Sequence, residues 1–396
     1  MILSASNTGQ QGRIFFYVQH LLGIGHLARA SRIAEALKND GFAVTLVTGG
    51  VPVKGFPGPG IDHVQLPAVV AADGGFSALA DTEGNPVDTA FEQRRTALLL
   101  KAFHAAKPDA VIIEAFPFGR RQVRFELLPL IEAIEATNPR PLLFTSIRDI
   151  LQENRKPGRN RETADLVMAH FDGVLVHGDP SFVRLEDTFA LAGEIAERVS
   201  YTGLVAPPAP VPAADRFDTV ISAGGGAVGA ALIGAALEAR LILGDHSPWC
   251  VITGPNLPQA DYDRFAAQVD DGVTLFRFRP DFPNLLPNAR LSISQAGYNT
   301  VCDLLQSRCR ALLVPFAAGG ETEQSVRAEK LEALGLARVV REAGLTGEAM
   351  AEAITAARSL TLPERLPVSL DGAAETARII RARLDGVVSG RGETAR

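Results

Sequence analysis

The sequence predicts an α/β protein built of two similar halves, each with a mostly parallel, doubly wound sheet. Short apolar runs alternate with amphipathic helical patterns along most of the 396 residues, and this alternation is typical of parallel strands joined by right-handed helical crossovers. The alternation stops at a proline-rich stretch and then restarts, and each half has one glycine-rich loop between a strand and a helix. The length likewise suits two domains better than one core.

In the first half, apolar runs that end in polar residues predict buried strands, and apolar residues three and four apart predict helices. The strands are predicted at 13–20, 42–49, 108–116, 141–147 and 171–178, and the helices at about 26–39, 88–106, 121–136 and 161–170. Asp40 and Gly41 end the first helix. Residues 51–87 are rich in Gly, Pro and Asp, which predicts irregular structure with one short strand near 63–66.

The boundary between the halves is predicted at residues 205–215, where four prolines in eleven residues indicate a semi-rigid linker. The predicted domains are therefore 1–206 and 207–396. The second half repeats the pattern, with a strand opening FDTVISAGGG (217–226), further strands at 247–254, 273–278, 289–297 and 311–316, helices at 227–240, 261–268 and 299–306, and a helical tail from 346.

The composition excludes several classes of protein. Lysine and arginine total 39 against 45 acidic residues, a net charge of −6, so no basic field indicates a nucleic-acid partner. The three cysteines, Cys250, Cys302 and Cys309, form no disulfide framework and lack the spacing of a zinc site. The first residues lack the features of a signal peptide, and no apolar stretch approaches the roughly 18–20 residues of a spanning helix. These features predict a cytoplasmic protein.

The two glycine-rich loops, GIGHLA (23–28) and GGGAVG (224–229), each follow a predicted strand and open a helix. Both fit G-x-G-x-x-G/A, in which glycines let backbone amides approach a phosphate at a helix N-terminus; a tight packing turn is the alternative for each. A dinucleotide enzyme needs an acidic residue at the end of the second strand, and neither FAVTLVTGG nor WCVITGPN supplies one. The loops therefore favour a nucleotide diphosphate bound between the halves.

Four segments carry a family resemblance: SISQAGYNTVCDLLQSRCRALLVPFAAGGETEQSVRAEKLEALGLA (292–337), GIGHLAR (23–29), FPFGR (116–120) and SIRDI (146–150). The chain resembles GT-B glycosyltransferases, above all the MurG-like branch of UDP-sugar transferases and related predicted bacterial glycosyltransferases. GIGHLAR also matches the G-x-G-H-x-x-R motif of the UDP-sugar hydrolase of pseudaminic acid synthesis. The resemblance implies two Rossmann-like domains that face each other across a cleft, with the final helix packed back on the first domain.

Two residues are candidates for the general base that takes a proton from the acceptor. His26 lies at the first glycine loop, where a helix N-terminus lowers the pKa of an imidazole and favours its neutral form; the alternative is a histidine that caps its own helix. Glu114 follows a buried strand and reaches the same sheet edge; the alternative is a salt bridge with a nearby arginine. The residues expected on the acceptor side are Gly23, Gly25 and Arg148, with an ion pair to Asp149 as the alternative for the arginine.

Contacts to the nucleotide are predicted in the second half. Backbone amides of the second glycine loop would face the diphosphate and stabilise the charge of the leaving group; these residues are Gly224, Gly225, Gly226, Ala227 and Val228. A further strand–helix turn is also expected to face phosphate, through Gly297, Asn299 and Thr300. Arg277 and Phe278 end a strand where they would hold uracil, and an exposed basic strand end is the alternative.

The resemblance implies roles for three more side chains. Asp303 would accept hydrogen bonds from ribose hydroxyls, although the family usually has Glu there, and a first-turn Asp that stabilises the helix dipole is the alternative. Glu323 and Gln324 would bind the hydroxyls of the donor sugar. The family often has a His after Pro-Phe, where this chain has Ala-Ala-Gly-Gly at 317–320, so the sequence does not identify the sugar.

Together these observations predict a metal-independent, inverting glycosyltransferase that uses a nucleotide-diphosphate sugar, UDP-linked by resemblance, and an acceptor that the sequence does not identify. No cofactor or metal is expected, because no Asp-x-Asp pair ends a predicted strand and the histidines lack metal-ligand spacing. A lipid acceptor would require peripheral contact with the inner face of the membrane, through residues 51–87. Three alternatives stay open: a UDP-sugar hydrolase, a non-hydrolysing epimerase of the same fold, and a non-catalytic nucleotide-sugar-binding protein.

Overall fold

The computed structural model describes residues 12–21, 23–72, 78–152, 157–224, 228–317 and 321–393. The elements of the first half are β1 (Arg13–Val18), α1 (Gly25–Asn39), β2 (Ala43–Thr48), β3 (Asp62–Gln65), β4 (Val70–Ala71), β5 (Leu79–Ala80), α2 (Thr89–Ala106), β6 (Ala110–Glu114), α3 (Arg124–Ala136), β7 (Leu142–Arg148), α4 (Arg159–His170), β8 (Gly173–His177) and β9 (Val199–Tyr201).

The elements of the second half are β10 (Thr219–Ser222), α5 (Ala230–Leu243), β11 (Trp249–Ile252), α6 (Gln259–Ala266), β12 (Val273–Phe276), α7 (Phe282–Leu285), β13 (Leu291–Ser294), α8 (Tyr298–Ser307), β14 (Ala311–Leu313), α9 (Glu323–Ala333), β15 (Arg338–Val339), α10 (Gly347–Arg358) and α11 (Gly372–Glu393).

Each half has its own parallel sheet, which confirms the predicted fold class. The first sheet has seven strands in the order β3-β2-β1-β6-β7-β8-β9, and the second has six in the order β12-β11-β10-β13-β14-β15. All neighbouring strands within these two sheets are parallel. In both sheets the strand order reverses beside the first strand of the half, and such switch points are where open α/β sheets bind ligands.

The central strands form the two cores. Residues 14–18 of β1 are at most 1% exposed, because β1 lies between β2 and β6 and is covered on both faces, so its sequence is a continuous apolar run. In the second half, Ile221 of β10 packs with Trp249 and Ile293 of the neighbouring strands and with Ile233 of α5.

The helical tail predicted from residue 346 is two helices rather than one. Residues 359–371 separate α10 from α11, and this segment contains Pro363 and Pro367, which lack the backbone donor that a helix needs. The second of these helices, α11, packs on the first half: Ala377 and Ile380 lie in one apolar cluster with Ile33 of α1. The final helix of the chain, α11, therefore packs beside α1 of the first half.

The two halves contact each other directly. An apolar cluster joins Ile150, Phe182 and Leu204 of the first half to Tyr298 and Val301 of α8. Polar side chains also form contacts across this interface, and they belong to segments that the sequence analysis identified as candidates for function, such as Asn299 of α8 and Arg148 of β7.

Candidate active site

The two predicted base candidates lie in contact. His26 is the second residue of α1, and Glu114 is the last residue of β6, the strand that pairs with β1. The Nδ1 atom of His26 is 3.0 Å from Oε1 of Glu114. The histidine side chain keeps 21% of its exposure, whereas the carboxylate is fully buried. Within the described part of the chain, the structure gives the Nε2 atom of His26 no hydrogen-bond partner.

Three polar side chains surround the carboxylate of Glu114. Arg29 and His26 both form hydrogen bonds with Oε1, and the Ser146 hydroxyl donates to Oε2 at 2.7 Å. Burial acts to raise the pKa of Glu114, but the guanidinium and the hydrogen bonds outweigh it and hold that pKa well below its usual range. Because the carboxylate is ionised, buried and already bonded to a cation, it is arranged to orient an imidazole rather than to reach an acceptor itself.

The imidazole of His26 is neutral near neutral pH. Burial lowers its pKa to about 3, the positive charge of Arg120 acts in the same direction, and Glu114 acts in the opposite one. An ionised carboxylate at Nδ1 accepts a hydrogen bond, which assigns the proton to Nδ1 and leaves the lone pair on Nε2. No side chain caps the start of α1. His26 therefore does not serve as a cap of its own helix, which was the alternative role. The arrangement can accept a proton at Nε2.

The start of α8, in the second half, lies against this pair. Asn299 donates from Nδ2 to the carbonyl oxygen of Gly25 at 3.2 Å and accepts from Arg32 at 3.3 Å. Gly297 precedes the helix as its N-cap residue, and Thr300 is partly buried within the first turn. Gly23, the remaining glycine of the first loop, is exposed.

Asp303 lies one turn into α8 and is 8% exposed. Its Oδ1 atom has no hydrogen-bond partner, and the nearest cation is Arg32 of α1, whose Nη2 is 3.7 Å away. Burial raises the pKa of Asp303 to about 6, although Arg32 opposes the shift. A buried carboxylate oxygen that lacks a hydrogen-bond donor is suited to accept hydrogen bonds from a ligand.

The second glycine loop is described only at its ends. Gly224 has a φ of +75°, and a Cβ at that position would lie 3.0 Å from Oε1 of Gln295. Val228 is 38% exposed. Gly225, Gly226 and Ala227 lie outside the described residues.

Glu323 and Gln324 are held by the protein's own groups. The Oε1 atom of Gln324 accepts from the backbone amides of Ala296 and Phe316, at 3.0 and 3.3 Å, and so ties the ends of β13 and β14 together. Glu323 is 4% exposed and forms an ion pair with Arg148 of β7. Two residues predicted on opposite sides of the cleft therefore bind each other.

Arg277 and Phe278 lie apart from these contacts, just beyond the edge strand β12. The guanidinium of Arg277 stacks 4.4 Å from the ring centroid of Tyr262 and donates to the carbonyl of Leu257 at 2.9 Å. Phe278 is 61% exposed. The structure thus places an exposed aromatic ring and a stacked guanidinium at this strand end, without a contact to His26.

Several residues of the site were not assigned a role from the sequence. Arg29, Ser146 and His177 form a buried chain around Glu114, in which Ser146 is 2.8 Å from Nε2 of His177. Tyr298 donates from its hydroxyl to the carbonyl of His177 at 2.9 Å. Arg29 ends the GIGHLAR motif three residues after His26, and residues at that spacing share a helix face. Ser146 and Tyr298 lie in segments that carry the family resemblance, SIRDI (146–150) and 292–337, whereas His177 lies outside them.

Two further features are absent from the described residues. In those ranges no three His, Cys, Asp or Glu side chains come together as a metal-binding group. In the same ranges, no helix combines the length and the apolar character that a bilayer span requires.

Comparisons with known proteins agree with this architecture. Residues 220–365 match the glycosyltransferase family 28 C-terminal domain. A protein of Brucella abortus (strain S19) is named UDP-N-acetylglucosamine--N-acetylmuramyl-(pentapeptide) pyrophosphoryl-undecaprenol N-acetylglucosamine transferase; it is 24% identical over 382 residues, which cover 93% of this chain and 92% of that protein. The protein of the same name from Solibacter usitatus (strain Ellin6076) is 34% identical over 103 residues, and there the chain spans 28% of the relative's length.

Solved structures give the same fold. The calicheamicin glycosyltransferase CalG4 superposes with a TM-score of 0.58 at 16% identity, covering 98% of this chain and all of that one. MurG from Acinetobacter baumannii superposes with a TM-score of 0.55 at 15% identity, covering 96% and 100%. The fold is therefore that of the GT-B glycosyltransferases. With the family 28 match and the Brucella abortus alignment, the chain is a glycosyltransferase that is similar to the MurG-like branch of that class.

Proposed function

We propose that the protein transfers a glycosyl group from a nucleotide-diphosphate sugar to a hydroxyl acceptor, with inversion at the anomeric carbon and with His26 as the general base. One observation carries the proposal: the His26–Glu114 pair lies directly beside the start of α8, where Asn299 bonds the residue that precedes His26. The base and the predicted nucleotide-binding helix thus border one site.

In the proposed reaction the acceptor hydroxyl gives its proton to Nε2 of His26 as its oxygen attacks the anomeric carbon. The bond from that carbon to the diphosphate oxygen breaks, and its electron pair leaves with the nucleoside diphosphate. Glu114 stays ionised, keeps its hydrogen bond with Nδ1 of His26 and stabilises the imidazolium that forms. Base assistance of this kind contributes about 10²–10⁴-fold to the rate.

The donor is proposed to be a UDP-sugar. The MurG-like relatives are named for UDP-N-acetylglucosamine, and Oδ1 of Asp303, which lacks a hydrogen-bond donor, suits ribose hydroxyls. Backbone amides of the second glycine loop would hold the diphosphate. A neighbour of known structure, VinC, is described in complex with dTDP. The experiment below therefore includes both UDP-sugars and dTDP-sugars.

We also propose that transfer needs no metal ion, because backbone dipoles and arginines would carry the charge of the leaving diphosphate. The relatives are named for an acceptor linked to undecaprenol. We therefore propose a cytoplasmic protein that meets a lipid-linked acceptor of this kind at the inner face of the membrane.

The test incubates the protein with UDP-, dTDP- and GDP-sugars and with lipid-linked and soluble hydroxyl acceptors, with and without EDTA. Acceptor-dependent release of nucleoside diphosphate in EDTA is expected. Free sugar released without acceptor would indicate a hydrolase, and sugar interconversion an epimerase. Failure to bind any of the nucleotides would contradict the proposal.

Variants then test the base. His26→Gln should reduce turnover about 10²-fold or more while UDP affinity, measured by calorimetry, stays unchanged. His104→Gln is the matched control, since His104 is an exposed histidine on α2. Wild-type turnover in His26→Gln would show that another group takes the proton.

A further inference from the structure

Arg29 completes the GIGHLAR motif, yet the proposed reaction gives it no task. It lies three residues after His26 on α1, so both side chains lie on one face of the helix. The arginine is 2% exposed. Burial of a guanidinium is costly unless a carboxylate and further contacts fix it, so the surroundings of Arg29 indicate what holds it there.

One carboxylate serves both residues. The guanidinium of Arg29 and the Nδ1 atom of His26 meet the same oxygen, Oε1 of Glu114. The other oxygen of Glu114 accepts from Ser146. Each carboxylate oxygen is thus occupied, and the negative charge of Glu114 is shared between a permanent cation and a group that can be neutral or protonated.

We propose that Arg29 is a positioning residue that neutralises Glu114 and so keeps His26 an unprotonated acceptor for the substrate's proton. This inference rests on the proposed role of His26 as the base. Without Arg29, a buried carboxylate 3.0 Å from an imidazole would favour imidazolium, which cannot accept a proton. With Arg29, the carboxylate and guanidinium together are neutral, so protonation of His26 would add an uncompensated charge.

Besides Arg29, two charged groups act on the imidazole of His26. Arg120 lowers its pKa, as Arg29 does, and Glu114 raises it. Glu114 faces the imidazole from the end of β6, Arg29 from α1, and Arg120 from the segment that follows β6. The Nε atom of Arg120 donates to the carbonyl of Gln19 at 2.8 Å, which fixes this arginine at the end of β1. Arg29 and Arg120 therefore both oppose the protonation of His26, which Glu114 favours.

Arg29 also depends on the second half. Its guanidinium carbon lies 5.1 Å from the ring centroid of Tyr298, the first residue of α8. That ring is fixed because its hydroxyl accepts from the amide of Val205 at 2.8 Å and donates to the carbonyl of His177. The position of Arg29, and with it the ionisation of His26, is therefore set jointly by both halves.

The experiment is a nuclear magnetic resonance titration of the His26 imidazole in the full-length protein, with the pH profile of kcat/KM as a second readout. In Arg29→Gln the midpoint of the His26 titration should rise by about one to three pH units, and the acid limb of the profile should move with it. Arg29→Lys should restore part of the wild-type behaviour. The double variant Arg29→Gln/Glu114→Gln should show no rise, because it also lacks the carboxylate.

Arg240→Gln is the matched control. Arg240 is a buried arginine of the second half that pairs with Asp270 at 2.8 Å and faces the ring of Trp249 at 5.9 Å. Its loss measures the cost of removing a buried arginine and should leave the His26 titration unchanged. If Arg29→Gln does not fold, Arg29→Met provides a chargeless side chain that keeps the apolar stem.

The inference is wrong if a folded, chargeless variant at Arg29 leaves the His26 midpoint where it is in the wild type. It is also wrong if the double variant shows the full rise, because Arg29 would then not act through Glu114. The titration needs no turnover. A protein without transferase activity would therefore contradict the proposed function, while the midpoint would still decide the role of Arg29.

Discussion

The side-chain amide of Asn299 donates a hydrogen bond across the two halves to the carbonyl oxygen of Gly25, at 3.2 Å. Gly25 begins α1 and precedes His26, while Asn299 is the second residue of α8. The bond therefore joins the helix that carries the candidate base to the helix that carries Asp303. Arg32 reinforces the junction, since it donates to both Asn299 and the carbonyl of Val205.

We expect Asn299→Ala to lower kcat/KM about 3–10-fold, because a hydrogen bond of this kind contributes about 0.5–1.5 kcal/mol and here fixes one helix against the other. Asn288→Ala is the control, since the Asn288 amide donates to Ala213 at 2.9 Å within the second half alone. Steady-state kinetics measure kcat/KM of both variants, and urea denaturation measures their stability. Equal losses of kcat/KM in the two variants would contradict a role for the junction in turnover.

Asp303 is predicted to limit stability at neutral pH. Its pKa in the folded protein is raised to about 6 from a usual value of 3.8, so between these values the folded state binds more protons than the unfolded chain. The stability that it contributes is therefore lost as the pH rises from about 4 to 6. We expect Asp303→Asn to increase the free energy of unfolding by about 1–3 kcal/mol at pH 7.5 and to change it little at pH 4.

Urea denaturation at the two pH values measures that difference. The same variant should bind a UDP-sugar more weakly than the wild type, because the amide accepts fewer hydrogen bonds from ribose than a carboxylate. A UDP-sugar is used rather than UDP, since a terminal phosphate titrates near pH 6. A gain in stability that is equal at both pH values would show that ionisation of Asp303 is not its cause.

Asp149 and Arg327 form a buried ion pair between the halves, and we expect Asp149→Asn to cost about 3–5 kcal/mol of stability. Both side chains are fully buried, with 2.7 and 2.9 Å contacts from the guanidinium to the two carboxylate oxygens. Loss of the carboxylate charge would leave Arg327 with Glu323 as its remaining anionic partner, at 2.6 Å.

The matched control is Asp187→Asn, which removes the partner of Lys330 in an exposed pair that also crosses between the halves, at 3.7 Å. Exposed pairs contribute about 0–1 kcal/mol. Thermal and urea denaturation compare the two variants. Similar, small losses in both would mean that the buried pair does not stabilise the interface.

The sequence predicted the elements that border the site because alternating strands and helices leave a strong pattern. His26, at the first glycine loop and the start of its helix, and Glu114, at the end of a buried strand, are the rival bases that the sequence predicts, and the carboxyl ends of parallel strands meet at one edge. The structure has them in one hydrogen bond, which converts two rivals into an imidazole and the carboxylate that orients it. The strands β9 and β15, with three and two residues, are too short for a periodic pattern and were not predicted.

The ion pairs could not be predicted in the same way. Asp149 follows Arg148 in the chain, and a pair between them was the simple alternative, yet Asp149 binds Arg327, 178 positions away, and Arg148 binds Glu323. Local spacing carries no information about which charged groups meet when two domains pack. Such pairs follow from the packing of the halves, which the pattern of strands and helices does not specify.

Gly224 is the last described residue before the central part of the second glycine loop, and we expect Gly224→Ala to weaken nucleotide binding. Its φ of +75° is costly for a residue with a Cβ, by about 1–2 kcal/mol, and the added methyl would lie 3.0 Å from Oε1 of Gln295. Relief of that contact must shift either Gln295 or the backbone that leads into the loop, and with it the amides proposed to face the diphosphate.

Gly244→Ala separates backbone strain from the effect on the loop. Gly244 ends α5 in the same half with a φ of +58° and has no atom within 4 Å of the position of an added Cβ. Both variants should lose about 1 kcal/mol of stability, measured by urea denaturation, whereas calorimetric titration with UDP should show weaker binding for Gly224→Ala alone. Wild-type UDP affinity in a folded Gly224→Ala protein would contradict the prediction that strain at Gly224 displaces the amides that face the diphosphate.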